Sequence, residues 1–222
     1  MRVKVCGMTS IEQIRLLDQL GVEFAGMIFY PNSPRYIRKF SINANDLKRE
    51  KLNINRVGVF VNASLDEILK EVDEWRLHMV QLHGDESPKF CEQVSNHVTT
   101  IKAFRVSEDD DLEWKIYPYH PFVDMYLFDS GWKGNTTRAV EYGGTGLHFN
   151  WDLIEKTNMV KPFFLSGGIG LDDIDSLTKF ESRQKNLFAV DVNSKFEVSP
   201  GIKDMNMIAS FMESLKNNKT TD

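Results

Sequence analysis

Apolar residues along the chain gather into eight short runs rich in β-branched and aromatic side chains. They are RVKVCGM (2–8), FAGMIFY (24–30), RVGVFVN (56–62), MVQLHG (79–84), TIKAFRV (100–106), DMYLFDS (124–130), PFFLSGG (162–168) and LFAVDVNS (187–194). Several are nearly continuous in apolar residues, the pattern of strands covered on both faces. Between them the period changes to that of a helix. SIEQIRLLDQLG (10–21) puts Ile11, Ile14, Leu17 and Leu20 on one face, opens on Ser10 as a cap and stops at Gly21. SLDEILKEVDEW (64–75) has Glu67 three residues after Ser64, a capping box. SPKFCEQV (87–94) places Pro88 at the first helical position. LDDIDSLTKF (171–180) and MNMIASFMESL (205–215) fit the same template, whereas 107–123 is interrupted by Pro118 and Pro121 and predicts only a turn or two.

Eight strands alternating with helices, in a chain near the ~250 residues usual for the class, predict a closed (βα)8 barrel. The rival is an open doubly wound sheet, which uses fewer strands and a G-x-G-x-x-G turn after the first. Here the first turn reads CGMTS, so the barrel is favoured. A single barrel domain is expected over residues 1–215, with a polar tail, KNNKTTD, at 216–222.

Composition narrows the function classes without naming one. The chain is 41% hydrophobic and 27% charged, ordinary values for a globular protein, with a formal charge of −5. That balance argues against a broad nucleic-acid surface. No apolar run reaches the ~20 residues of a membrane span, and no signal-peptide pattern opens the chain. Cys6 and Cys91 stand in unlike contexts with no zinc-type spacing, so neither a disulfide framework nor a metal site is expected, and a cytoplasmic setting is.

In a barrel of this kind the functional site forms at the C-terminal ends of the strands. The unusual polar residues cluster there: Cys6, Asn62, His83, Asp129, Ser166 with Gly167 and Gly168, and Asp191 with Asn193 and Ser194. The SGGIG and DVNS segments follow strands seven and eight, the usual phosphate-binding position of the fold, where glycine lets backbone N–H groups approach an anion. Gly167-Gly168 taken alone reads equally as a tight turn. Asp129 reads as a helix cap or as an acid opposite Cys6 across that phosphate site. Cys6 reads as a small buried hydrophobe or, paired with Asp129, as a base. His83 at the end of QLHG points into the site or makes a structural hydrogen bond. Arg35, in FYPNSPRYI, grips a carboxylate or is a surface charge. Cys91 in KFCEQV reads as packing, and His78, His97, His120 and His148 form no group.

KVCGMT, IFYPNSPRYI, VGVFVN, VQLHGDE, LFDS, YGGTGLHFNW, LSGGI and DVNSKFEVSPGIKD occur in the order found in phosphoribosylanthranilate isomerases, and the chain resembles that family from residue 3 to about 204. The resemblance implies a (βα)8 enzyme of tryptophan biosynthesis, monomeric or homodimeric, working without metal or organic cofactor on a small phosphorylated substrate. The implied reaction is the Amadori rearrangement of N-(5-phosphoribosyl)anthranilate. It implies Cys6 as the general base at C2 and Asp129 as the general acid at the ring oxygen. Arg35 is implied at the anthranilate carboxylate, His83 and Asp191 in supporting roles. Gly167, Gly168, Asn193 and Ser194 are implied at the phosphate.

Two departures stand out. Asn193-Ser194-Lys195 replaces the family's usual Ser-Ser-Gly, and the loop 131–142 is longer than expected, a lid or a tolerated insertion. Two rival readings remain. A neighbouring phosphate-binding barrel of histidine or indole synthesis would use paired aspartates, or a lysine with glutamates. Lys4 is present for the latter, but no strand-end glutamate is. A non-catalytic phospho-ligand module on the same scaffold is the other.

Overall fold

The predicted runs pair into one parallel sheet closed on itself. A computed structural model describes residues 1–107, 109–130 and 151–218. The loop 131–142, the GGTG motif, His148 and the last four residues lie outside the described residues. The strands are β1 (Arg2–Val5), β2 (Phe24–Ile28), β3 (Asn55–Phe60), β4 (Met79–Leu82), β5 (Thr99–Val106), β6 (Met125–Ser130), β7 (Phe163–Leu165) and β8 (Leu187–Val192). Each pairs with the next, and β8 closes on β1 with Arg2 opposite Ala189 and Lys4 opposite Asp191. The expected (βα)8 barrel is the fold found.

Helices alternate with the strands: α1 (Ile11–Leu20), α2 (Ala44–Arg49), α3 (Leu65–Trp75), α4 (Pro88–Ser95), α5 (Leu112–Ile116), α6 (Asp152–Lys156), α7 (Ile174–Arg183) and α8 (Met205–Asn218). The capping box of α3 forms, with Ser64 N donating to Glu67 at 2.8 Å and Glu67 N donating to Ser64 Oγ at 3.3 Å. Gly21 ends α1 at φ +79°, a left-handed stop suited to glycine. Ser10 occupies the cap position, but its hydroxyl makes no capping bond. The short α2 and α6 have too few turns to show a clear period in the sequence. The terminal helix runs on through Lys216, Asn217 and Asn218, the first residues of the stretch read as a tail. A small antiparallel hairpin, β9 (Glu197–Ser199) with β10 (Ile202–Lys203), turns at Gly201 with φ +85° and was not legible in the pattern.

Strand alternation sorts the apolar residues into two layers. Phe24, Val57, Ile101, Leu127 and Phe164 fill the barrel interior. Val3, Val5, Tyr126, Phe128 and Phe163 face outward against Ile14, Leu17, Cys91, Leu177 and Phe180 of the helices. Cys91 is fully buried in this outer layer, a packing residue. Most strands end earlier than the apolar runs do: β1 at Val5, β4 at Leu82, β7 at Leu165 and β8 at Val192. Past the strand ends the backbone enters the left-handed region at Gly7 (φ +78°), Asn62 (φ +52°), Gly167 (φ +96°) and Gly168 (φ +65°), where the regular strand conformation stops. Among the described residues, no helix is long and apolar enough to cross a membrane.

Candidate active site

Cys6 sits where β1 stops, and its neighbours hold it from both sides. Its N–H donates to Val192 O at 2.9 Å, and Met8 N donates to Gly26 O at 2.8 Å. Only glycine fits at position 26, because a Cβ there would lie 2.9 Å from Cys6 Sγ. Two residues earlier on the same inward face, Lys4 is wholly buried and donates from Nζ to Asp191 Oδ1 at 2.9 Å across the seam that closes the barrel. Ser166 Oγ lies 3.5 Å from Asp191 Oδ2. On β6, one residue before its end, Asp129 is a buried side chain, with His83 Nε2 at 3.5 Å from its Oδ2. The Gln81 amide meets His83 Nδ1 at 2.6 Å. With that amide donating, the ring proton sits on Nε2, facing Asp129.

The fold therefore brings Cys6, Asp129, His83 and Asp191 to one mouth, and Asp191 interacts electrostatically with both Asp129 and His83. Burial alone would favour a neutral Lys4 amine, but the charges of Asp191 and Cys6 outweigh it and hold the ammonium protonated above its ordinary range. Burial pushes the Cys6 thiol up, while Lys4 and Lys203 pull against it and Asp191 adds to the rise. The arrangement brings a thiol and a carboxyl group to the strand ends at one mouth of the barrel, each shielded from bulk water, two groups of the kind that remove and deliver protons.

The loops after β7 and β8 form the adjacent sector. Gly167 and Gly168 adopt the left-handed backbone their residue type permits, ahead of a turn that leads into α7. Asn193 is not directed at this opening: its Oδ1 accepts from Lys203 Nζ at 2.7 Å and its carbonyl from the same ammonium at 3.2 Å. Ser194 begins a short 3-10 turn ending at Phe196. Lys195 reaches from this turn toward the β7 loop, since a Cβ at Gly170 would lie 3.0 Å from its Cδ and 3.7 Å from its Nζ. Lys195 thus places a cation beside the β7 loop.

Arg35 lies at the rim against Gly7, where a Cβ would meet its Cδ at 2.8 Å. Its guanidinium is clasped by Glu197: Nε donates to both carboxylate oxygens at 2.9 and 3.0 Å, and Nη2 donates to Oε2 at 2.6 Å. Lys203 Nζ adds a bond to Glu197 Oε1 at 2.8 Å, and Gly201 N another at 3.0 Å. Arg35 is accordingly neither a loose surface charge nor an unengaged fork.

Sequence reasoning did not assign Glu197 or Lys203 a place. It also passed over the buried pair of Lys102 and Glu86. Lys102 donates to Glu86 Oε2 at 2.9 Å and to Gly84 O at 2.8 Å, while Glu86 accepts from Asn62 N at 2.9 Å, which fixes the loop carrying His83. The available signal was a lysine inside an apolar strand run, in RVKVCG and TIKAFRV alike. A lysine there must have a buried partner. His78 lies elsewhere, accepting from Arg56 N at 2.9 Å ahead of β4, and His120 pairs with the Tyr126 hydroxyl. Among the described residues, no group of three His, Cys, Asp or Glu side chains is placed to hold a metal ion.

Comparison with known proteins points the same way. Residues 3–214 match the family model for N-(5'phosphoribosyl)anthranilate (PRA) isomerase. The N-(5'-phosphoribosyl)anthranilate isomerase of Parabacteroides distasonis is 34% identical over 216 residues, covering 97% of this chain and 93% of that protein. The crystal structure of phosphoribosyl anthranilate isomerase from Thermotoga maritima superposes with a TM-score of 0.78 at 33% identity, over 98% of this chain and 99% of the other. A structure of the enzyme in complex with reduced 1-(o-carboxyphenylamino)-1-deoxyribulose 5-phosphate gives a TM-score of 0.76 at 30% identity, over 98% and 99%. With the closed barrel and the residues gathered at its mouth, this match over nearly the whole length means that the chain belongs to the N-(5'-phosphoribosyl)anthranilate isomerase family.

Proposed function

We propose that this chain catalyses the Amadori rearrangement of N-(5-phosphoribosyl)anthranilate to 1-(2-carboxyphenylamino)-1-deoxyribulose 5-phosphate in tryptophan biosynthesis, with Cys6 as general base and Asp129 as general acid. Asp129 gives a proton to the furanose ring oxygen as that C–O bond breaks, leaving an iminium at C1. The Cys6 thiolate then takes the proton from C2, and the electron pair moves into a C1–C2 double bond. Proton return at C1 and loss of the C2 hydroxyl proton yield the ketone, with no net oxidation. Gly167, Gly168, Ser194 and the Asn193 backbone hold the phosphate, with Lys195 adding charge beside them. Arg35 meets the anthranilate carboxylate with the part of its guanidinium outside the Glu197 clasp. His83 supports Asp129, and Asp191 supports the β1 side.

The observation that supports this reading is the burial of a thiol and a carboxyl at strand ends of one barrel mouth, the carboxyl with His83 Nε2 at 3.5 Å. A reducing cytoplasm suits it, since both Cys6 and Cys91 are free thiols. The test follows the anthranilate fluorescence of the substrate, which decays on turnover. Cys6→Ala and Asp129→Asn are each expected to abolish the decay with an unchanged circular dichroism spectrum. Near-wild-type rates from either variant would remove that residue from the mechanism.

A further inference from the structure

A thiol that serves as a base must spend part of its time as a thiolate, and burial opposes that charge. The question is what stands opposite it. Lys4 and Cys6 stand two residues apart on the inward face at the end of β1, both buried, with the Lys4 ammonium held inside the barrel by Asp191. The ammonium carries three N–H donors. Asp191 accepts one at 2.9 Å, and the Cys6 sulfur, two residues along on the same inward face, lies within the field of the ammonium charge.

We propose that Lys4 is a positioning residue for the reaction: its ammonium, anchored by Asp191, is the counter-ion against which Cys6 holds its thiolate. On ionisation the thiol proton leaves to solvent, and the thiolate is then ready to take the substrate proton. This rests on the reading of Cys6 as the base.

The groups facing the sulfur single out Lys4. From β2 comes only Gly26, which carries no charge. From β8 comes Asp191, whose negative charge opposes a thiolate. From the β9–β10 hairpin comes Lys203, whose ammonium is bound by Glu197 at 2.8 Å and by Asn193 at 2.7 Å. Arg35 passes over Gly7 into the clasp of Glu197. Asp129 and His83 act on the Asp191 side of the mouth. A seam needing only stability would close as well on two apolar residues, because a buried ion pair seldom outperforms a well-packed apolar one. A charge retained two residues from the thiol, on the same inward face, is one the thiol can use.

The test measures the ionisation of Cys6 directly, by thiolate absorbance in the far ultraviolet against pH, each protein blanked with its own Cys6→Ala counterpart. Wild type, Asp191→Asn and the double variant Lys4→Met/Asp191→Asn are compared. The double variant leaves no unpaired buried charge, and circular dichroism checks its fold. Asp191→Asn removes the opposing carboxylate and is expected to lower the midpoint below wild type. The double variant differs from it only by the ammonium and is expected to titrate about 1–3 pH units higher than Asp191→Asn, the usual effect of an adjacent opposite charge. The acid limb of the kcat/KM profile should move with the midpoint. A pair serving structure alone would shift melting temperature and leave the two midpoints together, and midpoints agreeing within about 0.3 unit overturn the proposal. Turnover of Cys6→Ala tests the base reading separately, so the two failures are distinguishable.

Discussion

The Glu197→Gln substitution isolates the charge of one carboxylate that holds a buried lysine and a partly buried arginine. Glu197 accepts three bonds from Arg35 at 2.6 to 3.0 Å, one from Lys203 at 2.8 Å and one from Gly201 N at 3.0 Å. The side chains of Glu197 and Lys203 are 4% and 0% exposed, and that of Arg35 is 11% exposed. Gln keeps the shape and removes the charge, leaving both cations facing a neutral amide. Breaking a buried pair in this way costs about 3–5 kcal/mol. That is a large share of a total stability of about 5–15 kcal/mol. In a chain of this size it lowers Tm by roughly 6–20 °C. The pH dependence adds a second check. Burial pushes the Glu197 carboxyl up, but Arg35 and Lys203 together outweigh it and hold the group below its ordinary value. A carboxylate depressed in the folded state contributes its stability above its unfolded value, about 4.3, and loses it as pH falls through the lower folded value. The Tm gap between wild type and variant should therefore be full at neutral pH and narrow in acid. The reasoning fails if thermal unfolding at neutral pH shows a drop under about 2 °C, or if the gap stays constant through the acid range.

Gly26→Ala sets a methyl 2.9 Å from Cys6 Sγ and 3.1 Å from its Cα. It is expected to cut kcat on the order of a hundredfold by displacing the base, at a stability cost of about 1–3 kcal/mol. Gly58→Ala, where the methyl meets Leu77 and Phe60 instead, is the control that should lose stability with kcat nearly intact; equal kcat losses from both would refute the placement. Lys102→Met strands the buried Glu86 carboxylate and should destabilise the fold by about 3–5 kcal/mol in urea unfolding. Adding Glu86→Gln should recover part of that loss, and no recovery would mean that the charge pair is not what holds the His83 loop. Burial pushes the Cys91 thiol up to about 11, so Cys91 should resist alkylation in the native protein at mildly alkaline pH. Mass spectrometry finding it modified as fast as in the unfolded chain would contradict its place in the barrel–helix layer.

The strands were legible because a strand covered on both faces needs apolar side chains in both directions, and such runs stand out in any order of reading. The capping box at Ser64 and the stop at Gly21 were legible because each is a local bond pattern within a few residues. The ends of the strands were less so. Whether Cys6-Gly7-Met8 continues β1 depends on pairing with β8 and β2, which the run RVKVCGM does not record. The helices α2 and α6 escaped notice because five or six residues give no period to count.

The barrel, the order of its elements and the edge at which the polar residues collect are readable along the chain, because they follow from periodicity and from the geometry of parallel strands. Which charge meets which is settled in three dimensions. Lys4 finds Asp191 across the closing seam, Lys102 finds Glu86 behind the His83 loop, and Arg35 is taken by Glu197, partners separated by 187, 16 and 162 residues. Coulomb attraction and desolvation depend on distance and burial in space, and neither quantity is written along the chain.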